Sequence, residues 1–421
     1  MTYLAPLTDI AHALKVAGLE DLVATGAFDN ADRETVTAIL EAAGQLSEGV
    51  LAPLNRSGDQ EGVRLENGRV HSAAGFADAW KQYAQGGWTG VAADPQFGGQ
   101  GLPKVLSLAA FEMAHAANMS FALCPLLGEG AIHLLSLHGT KRQQDLYLTK
   151  LVAGDWTGTM NLTEPQAGSD LALVRCKAEP DGGNYRITGQ KIFITWGDHD
   201  MTDNIVHLVL ARLPDAPPGV KGISLFLVPK ILVGDDGKLG AANAVRPLSL
   251  EKKLGIHASP TCVMGYDGAL GEIVGRPGDG LALMFLMMNA ARLNVGMEGV
   301  GVAEAATQKA LHYARERRQG RSPWSKDQTA LIVDLPDVRR MLALMTAKTQ
   351  AARAICYATA VASDMARHAK NFHARESAKL REDILVPIAK AWSTDVAVEV
   401  ASLGVQVHGG AGFIEETGAA Q

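Results

Sequence analysis

The feature that most constrains this chain is a change of hydrophobic period, made twice. From the start to about Asp155, Ala, Leu and Met recur at three- and four-residue spacing, as in VTAILEAAGQL and VLSLAAFEMAHAANMSFAL. Near Trp156 that spacing gives way to short β-rich runs: WTGTMNLTE, NYRITGQ, KIFITWG, NIVHLVLARL and GISLFLVPK. Helical spacing returns from about Gly278 to the end, through LALMFLMMNAARLNVGMEGVGVAEAATQKALHYARERR and the two long segments that follow. The order is therefore helices, a sheet, then long helices, an α+β chain.

Turn chemistry marks the joints. Asp181-Gly182-Gly183-Asn184 predicts a hairpin between two β runs, and Pro217-Pro218-Gly219 separates the next pair. In the first helical block, breaks are expected at APLNRSGDQEG, at GGWTGVAADPQFGGQGLP and at LHGTK. The second of these is long, Gly-rich and apolar, which suits a loop lying against something. At 421 residues the chain exceeds what one core usually supports. The expected division is an N-terminal extension over 1–34, a helical domain over 35–155, an antiparallel β domain over 156–275 and a helical domain over 276–421. There is no internal repeat and no low-complexity tract.

Composition removes several classes. Apolar residues are 47% and charged ones 20%, so wholesale disorder is excluded. A net charge of −6 disfavours a dedicated nucleic-acid binder, which needs a concentrated basic face. The four cysteines are scattered with no CxxC pair, as expected of reduced thiols in the cytoplasm. The start lacks a signal-peptide pattern, and the longest apolar run, Leu281 to Ala291, is about half a membrane span, so no integral membrane segment is expected. His133 and His138 sit five apart without an HExxH motif, so no metal site is expected and most histidines read as structural. Gly296, Gly299 and Gly301 spell GxxGxG inside a helical pattern, where close helix packing explains them better than a dinucleotide loop.

The most informative segments are MNLTEPQAGSD (160–170) and KIFITWG (191–197). The first is an apolar strand opening into a turn of small, polar residues. Such a turn exposes backbone N–H groups and the hydroxyls of Thr163 and Ser169 to a ligand that accepts hydrogen bonds. The second sets an aromatic, Phe193, two residues before a hydroxyl, Thr195, at a strand end. A ring could stack there while the hydroxyl reaches its edge; an ordinary strand-turn would read the same way.

TEPQAGSD followed by GQKIFITWG resembles the flavin-binding core of the acyl-CoA dehydrogenases, and GWTGVAADPQFGGQGLP is similar to a loop of that family. The resemblance runs from about residue 35 to the last residue. The wording of NLTEPQAGSD, KLGIHASPTCVM and VHGGAGFIEETGAAQ most resembles the branch typified by 3-methylmercaptopropionyl-CoA dehydrogenases and related bacterial long-chain enzymes. It implies an N-terminal helical domain, a middle antiparallel β-barrel domain and a C-terminal helical bundle.

The resemblance also implies roles. Met160, Leu162 and Thr163 would bind the flavin, the last two at its pyrimidine edge, and Ser169 would lie near both its phosphate and the substrate. Phe193, Ile194 and Thr195 would lie against the isoalloxazine, near its N5. In ARERRQGR (314–321), whose plain reading is a solvated helix end, Arg317 with Gln319 beside it would reach the pyrophosphate of the neighbouring subunit's cofactor. Gln406, Gly409 and Gly410 would face the partner's adenosine diphosphate. The implied cofactor is then FAD, the implied assembly a homodimer or homotetramer, and the implied electron acceptor an electron-transferring flavoprotein.

Removing the α-proton of an acyl-CoA thioester needs a carboxylate, helped by hydrogen bonds to the thioester oxygen and an apolar pocket that raises its pKa. AGFIEETGAAQ offers Glu415 and Glu416, and the family frame G-F-x-x-E selects Glu416. The plain alternative is that both are exposed carboxylates at a helix start. The other base position used in the family precedes an arginine that matches Arg292, and here it holds Ala291, which takes no proton. Arg292 would help shape the substrate cleft. The expected reaction is α,β-dehydrogenation of an acyl-CoA to the 2-enoyl-CoA. The rivals are a flavin oxidase or monooxygenase of the same fold, and a non-catalytic acyl-CoA or flavin binder. Relatives of this branch continue beyond the position of Gln421, so a truncated or shortened chain is also expected.

Overall fold

The computed structural model describes residues 3–421. By contact the chain falls into two compact units: Met1–Arg56, Leu102–Met119 and Arg292–Gln421 form one, Ser57–Gly101 and Ser120–Ala291 the other.

The first unit is helical. Its long elements come from the helices Lys104–His138, Gly280–Glu316, Pro336–His368 and Phe372–His408, with the first two contributing only their residues inside the unit. The glycines at 296, 299 and 301 are contact points between helices. A Cβ at Gly296 would meet the Ala389 carbonyl oxygen at 2.9 Å, one at Gly299 the Ser393 oxygen at 2.6 Å, and one at Gly301 the Ala116 nitrogen at 2.8 Å. No side chain fits there, so the GxxGxG pattern reports packing. A buried guanidinium ties three helices together. Arg353 reaches Glu112 at 2.6 Å and Glu304 at 2.7 Å, and the Tyr357 hydroxyl donates to Glu112 at 2.5 Å. The N-terminal segment is docked on this bundle. Leu7–Ala17 is a helix with Ile10, Ala13 and Leu14 buried, Gln350 donates to Asp9, and the Gln308 amide donates to the Leu4 carbonyl.

The second unit is built on a sheet of seven strands. In chain order the strands are β1 (Arg64–Glu66), β2 (Arg69–His71), β3 (Trp156–Asn161), β4 (Lys177–Asp181), β5 (Asn184–Thr195), β6 (Asn204–Arg212), β7 (Ile223–Pro229), β8 (Ile231–Val233), β9 (Leu239–Ala242), β10 (Val245–Leu250) and β11 (Thr261–Val274). The large sheet runs β10-β11-β5-β4-β6-β3, and β7 pairs with both β11 and β6. That second pairing closes β11, β5, β4, β6 and β7 into a ring, the barrel expected for the middle of the chain. Every residue of β7 is buried, and so is β6 as far as Ala211. Closure of the ring and cover on both faces account for their unbroken apolar runs.

Three expectations need correction. The β domain is mixed rather than antiparallel: β3 runs parallel to β6 over its whole length, and β4 meets β6 in parallel at Lys177 and Arg212. The segment expected to break at APLNRSGDQEG forms the helix Pro53–Glu61. The supposedly helical first block contains the β1–β2 hairpin. Its turn residues, Asn67 (φ 51°) and Gly68 (φ 73°), both sit in the left-handed region that an Asn-Gly pair favours. The Asp181–Asn184 hairpin joins β4 to β5 as read, while NYRITGQ and KIFITWG fuse into the single strand β5.

Two helices, Lys104–His138 and Gly280–Glu316, are long and apolar enough to cross a membrane by length and composition, which the uninterrupted run alone does not reveal. Their most apolar windows are 67% and 50% buried inside the protein. The first is broken at Asn118 (φ −158°, ψ 90°).

Candidate active site

The sheet unit carries the turn and strand singled out in the sequence. β3 ends at Asn161, and Leu162 and Thr163 lead into a tight turn in which Glu164 and Ala167 exchange two backbone hydrogen bonds of 3.0 Å. The turn is held from beneath by an ion pair. The Lys191 ammonium, fully buried, donates to the Leu162 carbonyl at 2.9 Å and to Glu164 Oε1 at 2.8 Å. Glu164 also accepts from the backbone amides of Arg175 and Cys176 and from the Gln166 amide. Burial pushes the Glu164 carboxyl up. The Lys191 ammonium and the two backbone amides pull it down further, so it lies below the ordinary glutamate range. A charge buried this deeply is tolerated only because every lone pair finds a donor.

The same lysine fixes the neighbouring strand. The Ile192 amide donates to the Thr163 carbonyl at 2.9 Å, sewing β5 to the turn. Next comes Phe193, at φ 60°, a left-handed backbone at a non-glycine residue inside a strand. It sits in a bulge, where the register against β11 slips between Ile194–Cys262 and Lys191–Met264. The bulge turns the Phe193 side chain outward, 59% exposed, while Ile194 is buried and Thr195 half-buried. Trp196 is also left-handed (φ 52°) and is tied down by its indole N–H to the Ser120 carbonyl at 3.1 Å. A buried polar chain backs β3: His207 to Thr159, Thr159 to the Asn161 amide, and Asn161 to the Tyr266 hydroxyl, each between 2.7 and 2.9 Å. Burial pushes His199 and His207 down to about 3, so both stay neutral. Met160 is half-buried, Leu162 buried, Thr163 half-buried and Ser169 exposed.

The helical unit brings together the C-terminal candidates. Tyr313 stacks on His408 with ring centroids 4.5 Å apart, joining the end of Gly280–Glu316 to the end of Phe372–His408. Arg317 and Gln319 lie just past the first helix end, and Gln406, Gly409 and Gly410 at the second; all five are exposed. Gly409 has φ 59° and ψ −140°, a conformation essentially reserved to glycine, and a Cβ at Gly409 or Gly410 would meet open space. Beyond them Phe413 and Ile414 are 87% and 50% exposed, and Glu415 and Glu416 are exposed on a short 3₁₀ turn, Glu415–Thr417. Arg292 is half-buried on its helix beside Ala291.

Three features escaped the sequence reading. The Glu164–Lys191 pair was within reach, since both residues lie in the quoted motifs, but nothing in their spacing says that they meet. Glu298, on Gly280–Glu316, has its carboxyl pushed up to about 7 by burial, with Lys390 opposing. The four thiols are all buried, and burial pushes each one up. Among the described residues, no three His, Cys, Asp or Glu side chains group as a metal site.

The residues suit a flavin dinucleotide on two separate counts. The sheet unit presents an aromatic ring and a hydroxyl from a strand whose backbone is pinned underneath. The helical unit presents an exposed guanidinium and a glycine pair that leaves the main chain open to a pyrophosphate.

Comparison with known proteins agrees. Three consecutive segments match the acyl-CoA dehydrogenase family: its N-terminal domain over residues 34–155, its middle domain over 159–268 and its C-terminal domain over 278–421. The chain is 50% identical to 3-methylmercaptopropionyl-CoA dehydrogenase of Ruegeria pomeroyi, over 100% of its own length and 72% of the relative's. It is 35% identical to a butyryl-CoA dehydrogenase of Syntrophomonas wolfei, over 97% of this chain and 68% of that one. The fold matches Caenorhabditis elegans ACDH-11 in complex with C11-CoA at a TM-score of 0.82 and 22% identity, covering 99% of this chain and 69% of the other. It also matches butyryl-CoA dehydrogenase from Megasphaera elsdenii at a TM-score of 0.74 and 23% identity, covering 91% of each. The chain belongs to the acyl-CoA dehydrogenase family, FAD-dependent oxidoreductases that act on acyl-CoA.

Proposed function

We propose that this protein dehydrogenates an acyl-CoA thioester at its α and β carbons, giving the 2-enoyl-CoA, with Glu416 as the base. The observation that carries the reading is the presentation of Phe193 and Thr195 from a bulged strand locked by the Lys191–Glu164 pair. An aromatic face and a hydroxyl on a backbone with no slack are what a redox ring needs to be held at one distance and one angle. The bound FAD supplies a hydride acceptor at N5.

The chain's own residues divide the remaining work. Met160, Leu162 and Thr163 bind the flavin, the last two at its pyrimidine edge, and Phe193, Ile194 and Thr195 line the ring. Ser169 serves the phosphate side and the substrate, and Arg292 shapes the cleft. Arg317, Gln319, Gln406, Gly409 and Gly410 hold the adenosine diphosphate moiety of a neighbouring subunit's cofactor. Glu416 takes the α-proton onto its carboxylate. Because Glu416 is exposed, substrate binding itself must exclude the water around it.

A homodimer or homotetramer is part of the proposal. On Phe372–His408, Leu380, Ile384, Ile388 and Trp392 repeat every four residues and are 66%, 63%, 44% and 36% exposed, a stripe suited to burial against a second copy. An electron-transferring flavoprotein is the proposed acceptor. A cytoplasmic location fits four buried thiols. The proposed domain division is an N-terminal extension over 1–34, a helical domain over 35–155, a β domain over 156–275 and a helical domain over 276–421. The test is an anaerobic bleaching screen of the purified yellow protein over acyl-CoA lengths, including 3-methylmercaptopropionyl-CoA. Bleaching by at least one saturated thioester is expected; a protein that binds FAD yet bleaches with none contradicts the proposal.

A further inference from the structure

We infer that Arg56 and Lys309 are positioning residues that aim the Glu416 carboxylate, an inference that rests on Glu416 acting as the base. Arg56, on the helix Pro53–Glu61, donates from Nη1 to the Glu416 main-chain carbonyl at 2.8 Å. Lys309, on Gly280–Glu316, donates from its ammonium to the Gly418 carbonyl. All of these residues lie in the helical unit.

The turn they grip has few bonds of its own. Glu415–Thr417 is a single 3₁₀ turn, and one turn fixes several backbone dihedrals in return for few internal bonds. The Gly418 amide donates to the Glu415 carbonyl at 2.9 Å and the Thr417 amide to the Ile414 carbonyl at 3.2 Å, and the Thr417 hydroxyl adds contacts of 2.8 Å to the carbonyls of Ala411 and Ile414. Gly418 then closes the turn at φ 65°, where a Cβ would meet Lys309 Nζ at 2.7 Å. The lysine occupies the space that only a glycine leaves.

The direction of the two cations is the telling feature. Both address main-chain oxygens, and among the described residues no donor reaches the Glu416 carboxylate. A guanidinium placed on the carboxylate would depress its pKa and weaken it as a base. Placed on the carbonyl of the same residue, it fixes the peptide plane, and with it the direction of the Cα–Cβ bond, while leaving both carboxylate oxygens open. Holding two cations side by side has a cost. Burial, and then the Arg56 charge, push the Lys309 ammonium below the ordinary lysine value.

The test uses the FAD-loaded full chain with Arg56→Met, Lys309→Met, the double variant and Arg56→Lys. Hydrogen exchange of the peptide covering 409–421, without substrate, should quicken several-fold in the double variant and stay near wild type in Arg56→Lys. In single-turnover bleaching with saturating 3-methylmercaptopropionyl-CoA, the methionine variants should slow by about tenfold to a hundredfold, the scale of a small misplacement of a reacting group. Half-saturation and FAD content should be unchanged. The isotope effect from α-deuterated thioester should rise, because proton removal becomes the slower step. Wild-type exchange in the double variant overturns the inference, and so does wild-type bleaching by the methionine variants. Wild-type bleaching by Glu416→Gln instead sinks the base assignment, while the exchange result still reports whether the two cations hold the turn.

Discussion

The two ends of the proposed chemistry are built in opposite ways. The flavin-facing end, residues 160–169 and 191–196, stands on a fully buried ammonium and a carboxylate with its lone pairs filled. The proton-abstracting end, residues 409–418, is a short exposed turn gripped by two side chains from other helices. The contrast follows from what each must do. A ring that takes part in every turnover must stay in one place, and buried charge with complete hydrogen bonding gives that at the expense of desolvation. A base must meet each new substrate, so its carboxylate stays accessible and only its backbone is held.

The sharpest way to break this comparison is to remove the anchor. Lys191→Met leaves the Glu164 carboxylate buried without its partner and the Leu162 carbonyl without its donor. The expected loss is about 3–5 kcal/mol of stability, with FAD retention falling alongside, as seen by chemical denaturation and flavin release. A loss under about 1 kcal/mol, the ordinary value of an exposed pair, would mean that the flavin end is no more rigid than the base end.

A smaller effect separates the helical unit from the sheet unit by pH. Burial raises the Glu298 carboxyl to about 7 in the folded helical unit, whereas an unfolded glutamate titrates near about 4.3. The folded state therefore binds this proton more tightly. Its contribution to stability is complete below about pH 4 and is lost as pH rises toward 7, by up to about 3 kcal/mol. Glu164 runs the other way: its carboxyl is lowered in the fold, so its contribution is present above the unfolded value and lost on acidification. Denaturation midpoints between about pH 4.5 and 7 should fall less steeply in Glu298→Gln than in the wild type, because the variant carries no proton to lose there. An identical slope would contradict the raised Glu298 carboxyl.

What was legible in the sequence was whatever depends on local period and local turn chemistry. The change of texture at Trp156, the Asp181–Asn184 hairpin and the packing role of Gly296, Gly299 and Gly301 all came from neighbours in the chain. The Asn67–Gly68 hairpin was equally legible, since that pair selects a left-handed two-residue turn, but the surrounding helical spacing concealed it. The parallel pairing of β3 with β6 was not legible, because an apolar run reads the same whichever way its neighbour points. The site divides along the same line. Phe193 and Thr195 were visible as a pattern, but the left-handed backbone that turns Phe193 outward arises from a register slip against β11. Arg56 and Lys309 lie far in sequence from Glu416, and only the fold brings them to its turn.

The central claim is that Glu416 removes the α-proton, and it is tested most directly by single-turnover anaerobic bleaching of Glu416→Gln beside Glu415→Gln. Both variants should bind FAD like the wild type. The account predicts that Glu416→Gln slows bleaching by about 10² to 10⁴-fold, the usual weight of a positioned base, while Glu415→Gln stays close to wild type. Bleaching of Glu416→Gln at the wild-type rate, or a comparable loss confined to Glu415→Gln, would contradict it.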